Sequence, residues 1–294
     1  MGQEKRDMSN YPQNSGELPA GFHVRDLPQS YTDEILRDCV RFSTALAVDD
    51  AFVGSGTFVS WDDKIGIMTA QHVTHPEKRS LRMDFGPASS QKLRISIEER
   101  PHLYEIEMKL LHRVVLGRDI FTEMGPDIAV IVLPTAPSTH IIRAKKSFVS
   151  LTHDTSRKAA SAVPDTGYLV FFGHPGSEVE VVGPAGQFNQ VDLLHGYSFM
   201  GGADKYFEDQ GLDYIVAKTP EGIPEGGFGG CSGGGMWKVP LKIDRCTRKP
   251  TYEGTIFAGV SFWEHKEKGE VVAVRGHGPK TIYSNMLEKL QNIA

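Results

Sequence analysis

The chain has 294 residues, 39% of them hydrophobic and 23% charged, with a net charge of −5. That length suits one large or two medium domains, and the apolar content suits a packed core, which excludes wholesale disorder. The basic residues are scattered, which argues against a nucleic-acid surface, and no apolar run is long enough for a membrane-spanning helix.

Residues 1–30 are rich in Ser, Asn, Gln, Pro and Gly, and a mobile arm is expected there. They contain no apolar stretch of the secretory kind. The cysteines, Cys39, Cys231 and Cys246, are odd in number and irregularly spaced. They form neither a disulfide framework nor a zinc pattern, and the expected compartment is the reducing cytoplasm. Residues 31–37 read as a short helical turn capped by Thr32 or Asp33. Residues 39–42 alternate like a strand. Residues 51–59 are β-rich, with Gly54 and Gly56 where a strand would bend or bulge. A hairpin turn at 61–64 leads into a return strand at 65–70. Further strands are expected at 93–97, 104–111, 128–133, 167–172, 179–182, 212–216, 235–238, 255–262 and 270–274. With 31 glycines and 17 prolines among these short runs, the pattern is that of an all-β chain. Residues 145–166 are polar and read as a connection between two domains. The aromatic-rich stretch 195–224 fits a hairpin of the second domain or a cleft rim. Residues 284–293 carry the one convincing helical pattern, with Ser284 as cap and Met286, Leu287, Leu290 and Ile293 on one side.

Three short segments carry chemistry. Gly229-Gly230-Cys231-Ser232-Gly233-Gly234-Gly235 surrounds a hydroxyl with bare backbone, which can turn sharply and offer N–H groups to a substrate carbonyl; it can also be a flexible turn. Thr69-Ala70-Gln71-His72 places an imidazole just past an apolar strand, where it can act as a proton acceptor or be an ordinary surface or core histidine. Asp127 opens the apolar run Ile128-Ala129-Val130-Ile131-Val132-Leu133, either as a turn residue or as a carboxylate fixing a histidine tautomer.

Together these motifs resemble the trypsin-like (chymotrypsin-fold) serine peptidases, in their bacterial intracellular form. The order His, Asp, Ser is that family's, and other Ser-His-Asp folds use other orders. Gly54-Ser55-Gly56-Thr57-Phe58-Val59, Gly173-His174-Pro175-Gly176 and Gly259-Val260-Ser261-Phe262-Trp263 resemble, in turn, its strand before the histidine, a turn early in its second barrel, and its substrate-pairing strand. The resemblance spans residues 38–294. It implies an all-β fold of two chymotrypsin-like β-barrels packed around a catalytic cleft, with a C-terminal helix. The divisions would be an arm at 1–30, a first barrel at 31–150 with His and Asp, and a second at 151–294 with Ser.

The roles it implies are Ser232 as nucleophile, His72 as general base and acid, Asp127 as orienter of His72, and the N–H groups of Gly230 and Ser232 as oxyanion hole. No cofactor and no metal are implied, and the partner is a protein or peptide substrate, with neither nucleic acid nor membrane. The specificity pocket would be based near Glu225 and Gly226, with Ser261, Phe262 and Trp263 as its other wall. Glu225 would favour a basic substrate side chain or be a solvent-exposed loop residue, and Phe262 or Trp263 could equally be core. Cys231 stands where many secreted members carry the Asp that pairs with a newly cut N-terminus, so that route to activation is closed. A nucleophile centred on Cys231, as in viral relatives, would put Ser where that motif has Gly, whereas centring on Ser232 fits. Gly235 replaces the usual proline. His75, three residues after His72, reads as a surface histidine rather than a metal ligand. The alternative to an endopeptidase is a catalytically silent or latent binding module on the same fold.

Overall fold

The structure is a computed structural model describing residues 27–49, 51–75, 83–97, 103–117, 124–134, 142–143, 145–162, 167–176, 179–182, 190–193, 197–201, 203–219, 228–240, 242–243 and 249–293. Most of the expected arm and Cys246 lie outside these residues. The described chain opens with helix α1, Gln29–Phe42. The expected strand at 39–42 is therefore helical. Tyr31, Ile35 and Cys39 recur every fourth position and all three are buried, so a 3.6-residue period overrides the short alternation.

Strands β1 (Ser43–Val48), β2 (Ala51–Trp61), β3 (Lys64–Thr69), β4 (Lys92–Ser96), β5 (Leu103–Glu107), β6 (His112–Val115), β7 (Ala129–Val132) and β8 (Val149–Ser150) form the first sheet. Its order is β5-β4-β1-β2-β3-β7-β6, with β8 parallel to β2. The end strands β5 and β6 are consecutive in the chain and joined through one 3-10 turn, Met108–Leu110, so the sheet curls back on itself. The expected hairpin turn is present, with Trp61 opposite Lys64. Between Leu46 and Ala47 the register of β1 on β2 shifts beside Gly54, a bulge in the glycine-bearing strand.

The second sheet contains β9 (Gly167–Gly173), β12 (Tyr197–Gly201), β13 (Ala203–Asp209), β14 (Leu212–Lys218), β15 (Gly235–Pro240), β18 (Ile256–Glu267) and β19 (Glu270–His277). Small ladders β10 (Val179–Val182) with β11 (Gln190–Leu193), and β16 (Lys242–Ile243) with β17 (Pro250–Thr251), flank it. The order is β12-β9-β15-β18-β19-β14-β13, and its end strands β12 and β13 are again consecutive. The aromatic-rich stretch thus supplies both edges of this sheet, and the hairpin within it is β13–β14. The architecture is all-β: two chymotrypsin-like barrels with a short C-terminal helix.

Alternation along β9 divides the apolar side chains between two cores. Leu169 and Phe171 enter the second barrel with Ile215, Met236 and Ala258. Tyr168, Val170 and Phe172 face a larger core that also holds Val59, Met68 and Val130 of the first barrel. That shared core is closed by Tyr31, Ile35 and Cys39 of α1 and by Ile282, Met286 and Leu290 of the C-terminal helix. Burial of this seam holds the two barrels together.

Two helical segments depart from expectation. Helix α3, His153–Ala162, occupies the stretch read as a polar connection, following the one-turn helix α2, Gln71–Thr74. Thr152 and Thr155 open it by reciprocal bonds, Thr152 N–H to Thr155 Oγ1 at 2.9 Å and Thr155 N–H to Thr152 Oγ1 at 3.4 Å. The C-terminal helix starts earlier than Ser284, as a π-type turn Thr281–Met286 continuing into α4, Leu287–Gln291. Its cap comes from across the fold: the Asp213 carboxylate accepts the N–H groups of Lys280 (2.9 Å) and Thr281 (2.7 Å).

Candidate active site

Strand register places the first two residues. Thr69 pairs with Ala129 at the end of the β3–β7 ladder. Asp127 lies two residues before Ala129, and α2 begins two residues after Thr69. Asp127 therefore stands next to α2, which carries His72. Its Oδ2 lies 2.6 Å from His72 Nδ1, and its Oδ1 accepts the His72 backbone N–H at 2.9 Å. Asp127 is 1% exposed, whereas the His72 side chain is 34% exposed. With Nδ1–H directed at the carboxylate, the lone pair of His72 sits on Nε2, the other edge of the ring. His75 closes the one-turn helix, its N–H donating to His72 O at 3.3 Å.

Ser232 comes to the same place from the second barrel. Ser55 of β2 donates its N–H to Ser232 O at 3.0 Å. Glycine is required on both sides of this approach. A Cβ on Gly54 would stand 2.8 Å from Val73 and 3.2 Å from Ser232 O, and one on Gly233 would stand 2.1 Å from Thr69 Oγ1. The Ser232 loop thus lies directly against the residues leading into His72. Gly230 and Gly233 have φ of +94° and +86°, a region open to glycine.

The loop's carbonyls are all directed into protein. Gly229 O accepts the Gly176 N–H at 2.6 Å, Gly230 O accepts the Ser55 hydroxyl at 2.9 Å, and Cys231 O accepts the Gly234 N–H at 2.9 Å and the Ser261 hydroxyl at 3.1 Å. In a trans peptide the C=O and the following N–H point opposite ways. Anchoring Gly229 O and Cys231 O therefore turns the N–H groups of Gly230 and Ser232 away from those anchors. Among the described residues neither N–H has an acceptor. Backbone N–H groups without a protein acceptor are what an oxyanion-binding site requires.

Cys231 is turned the other way. It is 1% exposed and packs in the second-barrel core with Phe171 and Phe228. Its thiol is therefore directed into the barrel interior.

The proposed pocket residues are dispersed. Glu225 and Gly226 lie outside the described residues. Ser261 is buried and bound to the Ser232 loop: its O accepts the Gly233 N–H at 2.8 Å, and its N–H donates to Gly234 O at 2.9 Å. Phe262 is core, stacked on His277 with ring centroids 4.4 Å apart. Trp263, 36% exposed, is the wall residue that faces solvent.

Three residues that carry this geometry were not singled out in the sequence. Ser55 bridges the barrels, accepting the His174 N–H at 2.8 Å while donating to Gly230 O. His174 is buried, and burial first, then the nearby Lys146 charge, push its pKa down to about 3. His277 accepts the Asp127 N–H on Nε2 at 3.0 Å. Its pKa falls to about 4 through burial, against the opposing pull of Asp127. Ser55 and His174 were visible only as members of family-like segments, and His277 had no local signal.

Two barrels, with a His–Asp pair on one and a glycine-flanked serine loop of the other packed against it, make a chymotrypsin-like fold. No protein-family model matches the chain, and no curated protein sequence does. Among solved structures, a thermostable serine protease, AL20, from an extremophilic microorganism is similar, with 12% identity and a TM-score of 0.45. The alignment covers 84% of this chain and 93% of that one.

Proposed function

We propose that the protein is a serine endopeptidase that hydrolyses peptide bonds through an acyl-enzyme. The observation carrying this reading is the Ser232 loop, whose Gly230 and Ser232 N–H groups have no acceptor among the described residues and which packs against Gly54, Ser55 and Thr69, near the His72–Asp127 couple. Ser232 Oγ attacks the scissile carbonyl carbon as its proton passes to His72 Nε2. The carbonyl oxygen becomes an oxyanion held by the N–H groups of Gly230 and Ser232. Asp127, at 2.6 Å from Nδ1, stabilises the imidazolium. Collapse of the tetrahedral species breaks the C–N bond, and the leaving amine takes the proton from His72. A water then gives its proton to His72, attacks the ester carbon, and releases the acid as Ser232 recovers its proton.

The reading extends to limited cleavage of an intracellular protein without a cofactor. Its support is thiol usage: the three cysteines are odd in number and irregularly spaced, and Cys39 and Cys231 are buried in the core. Labelling by a fluorophosphonate probe tests the core of it. Wild type and Cys231→Ala should label, and Ser232→Ala should not. A folded wild-type sample that never labels would sink the peptidase reading in favour of a silent module.

A further inference from the structure

His277 is the last residue of β19 and is 0% exposed. Its bond to the Asp127 N–H crosses from the second barrel to the first. The ring is held on several sides. Phe262 stacks on it at 4.4 Å with an 18° interplanar angle, and Tyr214 tilts against it at 5.3 Å. Gly125 presses on a further side: a Cβ there would be 3.0 Å from His277 Cε1 and 3.2 Å from Nε2.

An Nε2 that accepts a hydrogen bond carries no proton, so the ring is neutral with its proton on Nδ1. Burial favours that neutral form. The buried Nδ1 has no hydrogen-bond partner among the described residues. Leaving a buried N–H unmet costs free energy that an apolar side chain here would avoid. What the imidazole supplies in exchange is one acceptor, aimed at the backbone of Asp127. That residue directs both carboxylate oxygens at His72.

We propose that His277 is a positioning residue for the triad. By gripping the Asp127 main chain from the opposite barrel, it sets the aim of the carboxylate at His72. It also makes that aim depend on correct docking of the two barrels. This rests on the peptidase reading above. His277 touches no reacting atom and acts through Asp127.

Two variants separate positioning from packing. His277→Phe keeps a ring to stack on Phe262 and removes the acceptor. His277→Gln gives up the ring and can place an amide oxygen near the position of Nε2. Two readouts apply to each folded protein: the rate of fluorophosphonate labelling, and the far-downfield proton resonance of His72 Nδ1–H. The expected result is that His277→Phe slows labelling by roughly tenfold to a hundredfold, the scale of a small misplacement of reacting groups. It should also shift or broaden the downfield proton, and His277→Gln should restore both toward wild type. Wild-type behaviour of His277→Phe in both readouts overturns the proposal, as does a folded His277→Gln as impaired as the Phe variant. Should His277→Phe fail to fold, loss of the downfield proton in folded His277→Gln overturns it, and its retention there bears it out. If wild type never labels, the peptidase reading fails by itself and the resonance still decides the role of His277.

Discussion

Asp127 accepts two hydrogen bonds from one residue, and both acceptors must be oxygen. An Asn in its place would turn an NH2 toward either the His72 backbone N–H or Nδ1, so one contact becomes donor against donor unless the ring changes tautomer. Asp127→Asn should therefore fold normally and lose about 10⁴ in turnover, as expected when an orienting carboxylate is replaced by its amide. Turnover measured with a thermal melt checks this; retained turnover in a folded variant would remove Asp127 from the mechanism. The pairing of His72 with Asp127 was legible in the sequence because each sits in a distinctive local string. His277 was not, because its one informative contact joins residues 150 positions apart. A lone histidine at the end of a strand carries no mark of the backbone it will meet. The Ser232 and Cys231 alternatives were separable only in part by motif. Packing adds to the motif, since the Cys231 side chain belongs to the second-barrel core.

At the level of elements, the turn after β9 and the bulged strand β2 together shape the Ser232 loop. Ser55 Oγ joins them, receiving the His174 N–H and donating to Gly230 O. Ser55→Ala would leave that carbonyl without its anchor and free the Gly230–Cys231 peptide to rotate within the oxyanion loop. The loss should fall on kcat more than on KM, roughly tenfold to a hundredfold. Steady-state kinetics would show this split, and an effect confined to KM would mean that Ser55 acts on substrate binding instead. The strands were largely legible because short apolar runs between turn residues have few other uses. The helices were less so. For α1 the decisive fact was burial at every fourth position, which only the core reveals. At the C-terminus the cap is Asp213, distant in the chain, so local reading placed the start at Ser284 instead.

Across the whole molecule, the two buried histidines make the barrel junction sensitive to acid. Both belong to the second barrel and both bond to the first, His174 through Ser55 and His277 through Asp127. In the folded protein their pKa values are lowered to about 3 and about 4, from an ordinary 6.5 that the unfolded chain regains. Above pH 6.5 both states are neutral at these sites, and stability does not depend on them. As pH falls below 6.5 the unfolded chain takes up protons that the folded one refuses, so stability declines until the folded pKa values are reached. Each histidine adds a slope of about 1.4 kcal/mol per pH unit in that window. Lys146 beside His174 and Asp127 beside His277 set the two apart, one opposing the added proton and the other favouring it. Urea midpoints should therefore change little between pH 8 and 7 and fall steeply from pH 6.5 to 5. A His174→Gln variant, which no longer titrates at that site, should show a clearly shallower fall. A flat midpoint through the same window would mean that these rings meet water in the folded protein, and that the seam between the barrels is looser than its packing indicates.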